Sequence, residues 1–313
     1  MAVYLIKRIL ALVPVLLLVS IFVFLLLRLT PGDPAAILAG DTATTEQLER
    51  IREAMGLNEP ILTQYFTWMG NILQGDLGVS LISGVPVMDM VSQRIGPTIS
   101  IAVLTIIIAV LVAIPMGVVA AWRHRSWIDY LVMSLSVLGF SVPVFLVGYV
   151  LLLIFSVNLG WLPVQGFKPI SSGFGGFMER AILPSLTLAS IYIALIARMT
   201  RAAMLDVLGE DYIRTARAKG VSDRRLLFVH ALKNAAVPVV TIVGTGFALL
   251  ISGVVVTESI FNIPGIGRLT VDAVLARDYP VIQAMILLTS ALYVFVNLLI
   301  DLSYTLFDPR IRY

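Results

Sequence analysis

Leu205 to Pro238 reads LDVLGEDYIRTARAKGVSDRRLLFVHALKNAAVP, the longest strongly polar and basic segment lying between two apolar runs. Gly209 opens it, and Glu210 and Asp211 put negative charge where a helix starting there exposes unpaired N–H groups. Lys219 then Gly220 supply the usual close, because glycine adopts the left-handed conformation that ends many α-helices. The spacing predicts a first helix over residues 210–219. Ser222 fits an N-cap with Asp223 in the following turn, and Leu226, Leu227, Val229 and Leu232 give a second helix an apolar side as far as Asn234. Pro238 suits the start of a third. A helix of roughly ten residues is marginal alone in water, so this helix-turn-helix needs a docking surface, which the small side chains of Ala216 and Ala218 would let approach closely.

The flanks are apolar. Of 313 residues, 59% are hydrophobic and 13% charged, with a mean hydropathy of +0.97; soluble domains carry about 25% charged residues. The chain reads as an all-α membrane protein. Six segments, residues 9–29, 98–122, 130–157, 181–200, 237–260 and 281–307, are long and apolar enough to cross a hydrocarbon core of about 30 Å. Lys7 and Arg8 before the first superficially suggest a signal peptide, but the length of the run and the lack of a small-residue cleavage site favour an uncleaved span.

Basic residues set the expected orientation. With the N-terminus inside, the inner segments hold Lys7, Arg8, Arg123, Arg125, Arg198, Arg201, Arg310 and Arg312 besides the whole basic set from Arg214 to Lys233. The outer segments hold Arg50, Arg52, Arg94, Lys168, Arg180, Arg268 and Arg277, fewer in number, so both termini and the Gly220 loop are expected in the cytoplasm.

Residues 31–97 form the largest outer segment. Thr44 with Gln47 resembles a capping box, Leu48, Ile51 and Met55 share a helical face, and Gly56 stops that helix. A second helix is expected from Pro60 to just before Gly75, with Tyr65, Phe66 and Met69 on its apolar side. Residues 123–129 join the second and third spans so tightly that these must be antiparallel neighbours. Pro115 and Pro143 lie inside expected spans, where membrane helices tolerate proline if neighbours satisfy the freed carbonyl. The glycine-rich connection 158–180 is expected to be irregular, and Gly244, Gly246, Ser252 and Gly253 in the fifth span to allow close helix approach.

Chemistry is scarce. There is no cysteine, and both histidines, His124 and His230, fall in expected cytoplasmic connections. No HExxH or acid-rich metal spacing lies in a span, no expected span contains lysine, and no GxxxxGKS/T stretch cradles a nucleotide. No catalytic residue, metal site or cofactor is therefore expected in this chain, and any ATPase driving it must be another chain. Asp301, with Asn297 one turn before it, is the acidic group that an ion or proton site would use, against a structural pairing near the interface.

Arg214, Thr215, Ala216, Arg217, Ala218, Lys219 and Gly220, followed by His230, Ala231, Leu232, Lys233 and Asn234, resemble the cytoplasmic EAA loop of ABC importer permeases, in the form carried by the dipeptide and oligopeptide group. Arg214 stands where many permeases have Glu and Lys233 where many have Pro, and the peptide-type branch is similar to this chain at both positions. Pro31-Gly32-Asp33-Pro34, Gly75-Asp76-Leu77-Gly78, the stretch from Glu258 through Arg268 and Arg277-Asp278-Tyr279-Pro280 extend the likeness over nearly the whole chain.

The resemblance implies a type I permease fold with six transmembrane helices: a first helix in residues 1–30, a helical extracytoplasmic segment 31–97, a transmembrane domain 98–307 holding the coupling loop 201–236, and a cytoplasmic tail 308–313. It implies that Asp211, Tyr212, Arg214, Thr215, Ala216, Arg217, Ala218, Lys219, Gly220 and His230 contact an ATPase, and that Glu258, Phe261, Pro264, Gly265, Gly267 and Arg268 help shape an external gate. The partners implied are a second permease, two cytoplasmic ATPases that bind ATP and Mg, and an extracytoplasmic substrate-binding protein in a bacterial inner membrane. Short peptides are the favoured cargo, with glutathione or a nickel chelate as alternatives. Two rival readings stay open: an amphipathic helix on anionic lipid for the basic loop, and a channel or proton-coupled transporter for the whole chain.

Overall fold

The computed structural model describes residues 2–29, 34–39, 44–54 and 56–307. Most of the Pro31-Gly32-Asp33-Pro34 motif and the tail 308–313 lie outside the described residues. Among those described, every regular element is helical apart from an isolated antiparallel bridge between Val79 and Pro86. In chain order come α1 (Ala2–Leu29), the short α2 (Pro34–Ala39), α3 (Thr45–Ala54) and α4 (Ile61–Leu73), and the long α5 (Val87–Trp122). Next are α6 (Trp127–Ser141), α7 (Val144–Leu151) running into a π-helical turn Leu152–Asn158, α8 (Phe174–Leu208) and α9 (Asp211–Ala218). Then α10 (Asp223–Arg225), a π-helical segment Leu226–Ala231, α11 (Leu232–Asn234), α12 (Ala236–Gly253), α13 (Val255–Ile260), α14 (Ile266–Ala276) and α15 (Tyr279–Phe307) complete the chain.

Among the described residues, α5, α8 and residues 279–303 of α15 are long and apolar enough to cross a membrane unbroken. Two helix pairs pass the same test only when taken together and are bent, α6 with α7 and its π turn at 100°, and residues 223–234 with 236–250 at 64°. The apolar part of α1 is shorter, Leu10–Leu25. The six expected segments are thus all helical, with two corrections. The third is broken at Pro143 rather than continuous: proline forces Val142 into extended backbone (ψ 126°), which ends α6 and aims α7 elsewhere. The fifth stops at Gly253 and restarts as α13. Helices also reach beyond their apolar stretches, α5 starting at Val87 rather than near Thr98 and α8 running from Phe174 to Leu208, because a helix outlasts the apolar run that anchors it. Gly175 and Gly176, expected in an irregular connection, accordingly sit in the first turn of α8.

The central pair is α5 against α8. Ala109 and Ala113 of α5 are buried against Ala189, Ile196 and Ala197 of α8, and a Cβ added to Gly117 would lie 2.6 Å from the Ala197 carbonyl oxygen, so the backbones touch as small residues permit. Gly244 of α12 lets Ile300 of α15 in, and Gly246 faces the Tyr192 ring of α8, the close approaches expected of that span. α1 packs on the outside of α15, and Arg8 pairs with Asp301 at 2.9 Å, which gives Asp301 the structural partner that competes with an ion site.

Residues 123–129 are held by Asp129, which is buried and accepts from Arg201 of α8 through Nε (2.5 Å) and Nη2 (2.8 Å), and from the Arg125 N–H at 2.9 Å. The capping box forms as expected, Thr44 N–H to Gln47 Oε1 at 2.9 Å and Gln47 N–H to Thr44 Oγ1 at 3.3 Å.

Candidate functional site

The sequence-derived candidates fall at opposite ends of the bundle, separated by the length of α12, about 27 Å at 1.5 Å per residue for its 18 residues. At one end is α9. Glu210 and Lys219 flank it, and Gly220 closes it at φ +78°. The Val221 N–H reaches the Ala216 carbonyl at 3.2 Å and the Gly220 N–H reaches that of Arg217 at 3.0 Å, the two bonds of a Schellman close. Val221 and Ala216 also share an apolar cluster, as that motif favours.

One face of α9 is fixed. Ile213 is 1% exposed, in a cluster with Val118 and Ala121 from the end of α5, Ala203 and Met204 from the end of α8, and Leu226, Leu227 and Ala231. Ala216 packs against the same cluster, so its small size serves contact within this chain. Asp211, Tyr212, Arg214, Thr215, Arg217, Ala218, Lys219 and Gly220 are exposed, and His230 is half-buried. The Asp211–Arg214 pair, 3.3 Å apart, has both side chains largely in solvent and holds little. Burial, with Glu210 nearby, pushes the Tyr212 phenol above its ordinary pKa, partly countered by a hydrogen bond from Asn234.

The second helix differs from expectation. Ser222 occupies the N-cap without a side-chain cap bond, and residues 226–231 are π-helical. The wider π turn rotates the apolar side: Leu226, Leu227 and Ala231 are buried, whereas Val229, expected inward, is exposed with Phe228. Val229 and Phe228 line an open cavity of about 450 Å³ with Ser222, Arg224 and Arg225. This end therefore shows solvent a field of cations with three large apolar side chains, Tyr212, Phe228 and Val229, among them.

The other end is closed upon itself. Glu258 is fully buried, and one carboxylate oxygen accepts from the Thr98 hydroxyl at 2.6 Å, the other from the Arg268 N–H at 2.9 Å. Thr98 Oγ1 in turn accepts from the Ile266 N–H at 2.9 Å. The start of α14 is thus capped by a carboxylate from α13 and a hydroxyl from α5, which satisfies the helix's free N–H groups and places negative charge at its positive end. Gly265 and Gly267 are where the carboxylate lies, and a Cβ on Gly265 would overlap it. Phe261 is buried, its carbonyl accepting from the Gly166 N–H at 2.9 Å, and Arg268 donates to Asn262. Pro264 sits in the turn between α13 and α14.

Asp278 and Ser80 make a second lock nearby, Ser80 Oγ to Asp278 Oδ2 at 2.5 Å and Leu81 N–H to Oδ1 at 3.1 Å. Thr98 and Ser80 carry no site expectation from the sequence, and Asp278 only the likeness of its motif to the outer loop of peptide-type permeases; their partners lie 160 to 198 positions away and no local spacing announces them. Among the described residues no cluster of metal-ligating side chains occurs.

With both ends in view, comparison with known proteins gives the family. Residues 113–313 match the model of the binding-protein-dependent transport system inner membrane component, and residues 1–102 match that of its N-terminal region. The chain belongs to this family. A probable peptide ABC transporter permease of Sinorhizobium fredii is 53% identical over 313 residues, all of both chains. A putative peptide transport system permease of Brucella abortus is 47% identical, again over all of both. A glutathione transport system permease of Escherichia coli is 45% identical over 311 residues, 99% of each. The chain is a multi-pass inner-membrane permease subunit of an ABC importer, with an all-α type I fold.

Proposed function

We propose that this permease forms part of the path through which short peptides are imported, driven by separate ATPases docked on α9. The observation that carries this reading is the division of α9 into a face fixed by Ile213 on the ends of α5 and α8 and a charged face left open. A partner pushing on the open face moves the two central helices, because a packed cluster transmits displacement rather than absorbing it. The open face suits a protein partner: Arg214, Arg217 and Lys219 offer charge-assisted hydrogen bonds, and Tyr212, Phe228 and Val229 offer apolar contact.

In the cycle proposed, ATP and Mg bind and close the ATPase pair, the path opens to the outside, a binding protein delivers cargo there, and hydrolysis resets it. The Lys and Arg surplus supports a cytoplasmic Gly220 end and cytoplasmic termini. A second permease completes the path. The names of the Sinorhizobium and Brucella relatives support peptide as cargo, and the Escherichia coli relative supports glutathione, itself a short peptide, as the alternative. Pairing of Asp301 with Arg8 weighs against a proton-coupled mechanism.

The test is affinity purification of the chain in mild detergent followed by mass spectrometry. Recovery of a second permease and ATPases, with the ATPases lost in Arg217→Glu, is the expected result. A homo-oligomer with no ATPase would sink the reading.

A further inference from the structure

A polar cleft of about 310 Å³ opens where the end of α1, the helix α4 and the start of α15 meet, at the Glu258 end of the bundle. Its volume is at the lower limit of small-molecule sites, roughly 300–1,000 Å³. It sits one turn beyond the apolar run Leu10–Leu25 of α1, at headgroup depth whichever way the chain is inserted. Phe24, Tyr65 and Trp68 pack together beside it with ring centroids 5.4 to 6.2 Å apart, the aromatic character of a membrane interface.

Three groups in its lining are unanswered. Arg28 lies with its guanidinium 4.8 Å from the Phe24 ring centre and has no carboxylate partner among the described residues. Glu59 likewise has no cationic partner among them. Gln64 donates through Nε2 to the carbonyls of Leu57 (3.0 Å) and Glu59 (2.6 Å), which fixes the amide's orientation and leaves Oε1 buried with no hydrogen bond. A plain anion would answer Arg28 and leave Glu59 and the Gln64 oxygen unpaired. A plain cation would do the reverse. A ligand bearing both a phosphate and a primary ammonium answers all three, with Asn71 and Gln283 as further amide donors in the wall.

We propose that this cleft holds the phosphoethanolamine headgroup of a membrane phospholipid, its phosphate on Arg28 and its ammonium on Glu59 and Gln64 Oε1. A trimethylated amine has no N–H to give Gln64, and a glycerol headgroup has no positive charge for Glu59, so the site discriminates among bilayer lipids by hydrogen bonding as well as charge.

The test uses the full chain, stripped of lipid in detergent and titrated with dioleoyl phosphatidylethanolamine, phosphatidylcholine or phosphatidylglycerol, bound lipid being counted by native mass spectrometry. Phosphatidylethanolamine is expected to bind about tenfold more tightly than either other lipid, the size of one charge-assisted hydrogen bond. Glu59→Gln, a change at an exposed side chain that leaves folding intact, is expected to remove that preference, and Arg28→Gln to weaken phosphatidylethanolamine by a similar factor at unchanged melting temperature. Equal binding of the three lipids, a preference for phosphatidylglycerol, or a preference that survives Glu59→Gln would overturn the proposal. Free glycerophosphoethanolamine separates the two sources of this chemistry: binding of the soluble compound as tight as that of the lipid would assign the cleft to a free zwitterion and overturn the membrane assignment.

Discussion

The two ends of the bundle finish a helix with the same backbone device and then diverge. α9 ends through Gly220 at φ +78°, with Val221 bonded to Ala216 and Gly220 to Arg217. α13 ends through Asn262 at φ +50°, with Ile263 bonded to Glu258 at 2.8 Å and Asn262 to Ser259 at 3.4 Å. After Asn262 the chain answers its own polar groups: the Glu258 carboxylate, the Thr98 hydroxyl and the first N–H groups of α14 satisfy one another out of water. Around Gly220 the charged groups are left to solvent, and within α9 only Ile213 and Ala216 turn inward. A helix close is therefore neutral as to role. What makes one end a corner and the other a docking surface is where the side-chain hydrogen bonds are completed.

The largest effect is expected where the closed end is overfilled. Gly265→Ala puts a methyl group into the space of the Glu258 carboxylate, which its hydrogen bonds from Thr98 and the Arg268 N–H hold in place, and should cost about 3 kcal/mol as an overpacked core does. The measurement is the thermal midpoint of the purified chain in detergent, with Gly220→Ala alongside. If Gly265→Ala melts no lower than Gly220→Ala, the corner is looser than its hydrogen bonds describe and the contrast between the ends fails.

Ile213→Ala comes next, at about 2 kcal/mol, since truncating a buried aliphatic side chain costs that or more and α9 has few other inward contacts. The loss is local, so it should show as faster amide exchange in α9 with little change in α5 and α8, and as weaker ATPase retention. Exchange raised equally through α5 would mean that α9 is an integral part of the core rather than a helix docked on its end.

These contrasts were unequally legible in the residues. Gly209, Glu210 and Lys219-Gly220 delimit α9 to within a residue, and Thr44 with Gln47 announces a capping box that forms, because caps are local and their chemistry is written in adjacent positions. Pro143 is visible in the sequence, yet whether a membrane proline kinks or breaks its helix depends on packing partners; here Gly139 of α6 lies against the Ser190 carbonyl of α8, and α7, bent 100° from α6, sets Gly148 against Thr187 of that same helix. A 3.6-residue period predicts Val229 inward, whereas the π segment, with its wider turn, leaves it exposed. The Thr98–Glu258 and Ser80–Asp278 locks join residues far apart in the chain, and one sequence carries no signal of such pairings.

Gly220 itself allows a finer comparison. A Cβ there meets nothing within 4 Å, so the cost of replacing it is purely conformational. Gly220→Ala should lose about 1 kcal/mol, the strain of an ordinary side chain in the left-handed region, and Gly220→Asn only a few tenths, because asparagine tolerates that region as Asn262 does. Uptake by cells producing equal amounts of each variant should follow the same order. Failure of both variants alike would mean that the partner needs the bare backbone at Gly220, a steric demand from outside the chain.

The smallest effect on the fold is the most informative about the open end. Arg214 and Arg217 touch little within the chain, Arg214 only the exposed Asp211, so Ala at both should shift stability by less than about 0.5 kcal/mol. If the open face exists for a partner, the same double variant should nevertheless lower ATPase co-purification and uptake by tenfold or more, since charge-assisted contacts across an interface are lost together. That separation, silent in the melting curve and loud in the assay, is the reverse of what Glu258→Gln should give at the closed end, where a buried acceptor is lost within the chain and the melting curve moves first. Were the double variant to leave uptake unchanged, the cations of α9 would be ordinary solvated surface and the coupling contact would have to rest on Tyr212, Phe228 and Val229, the apolar side chains exposed beside them.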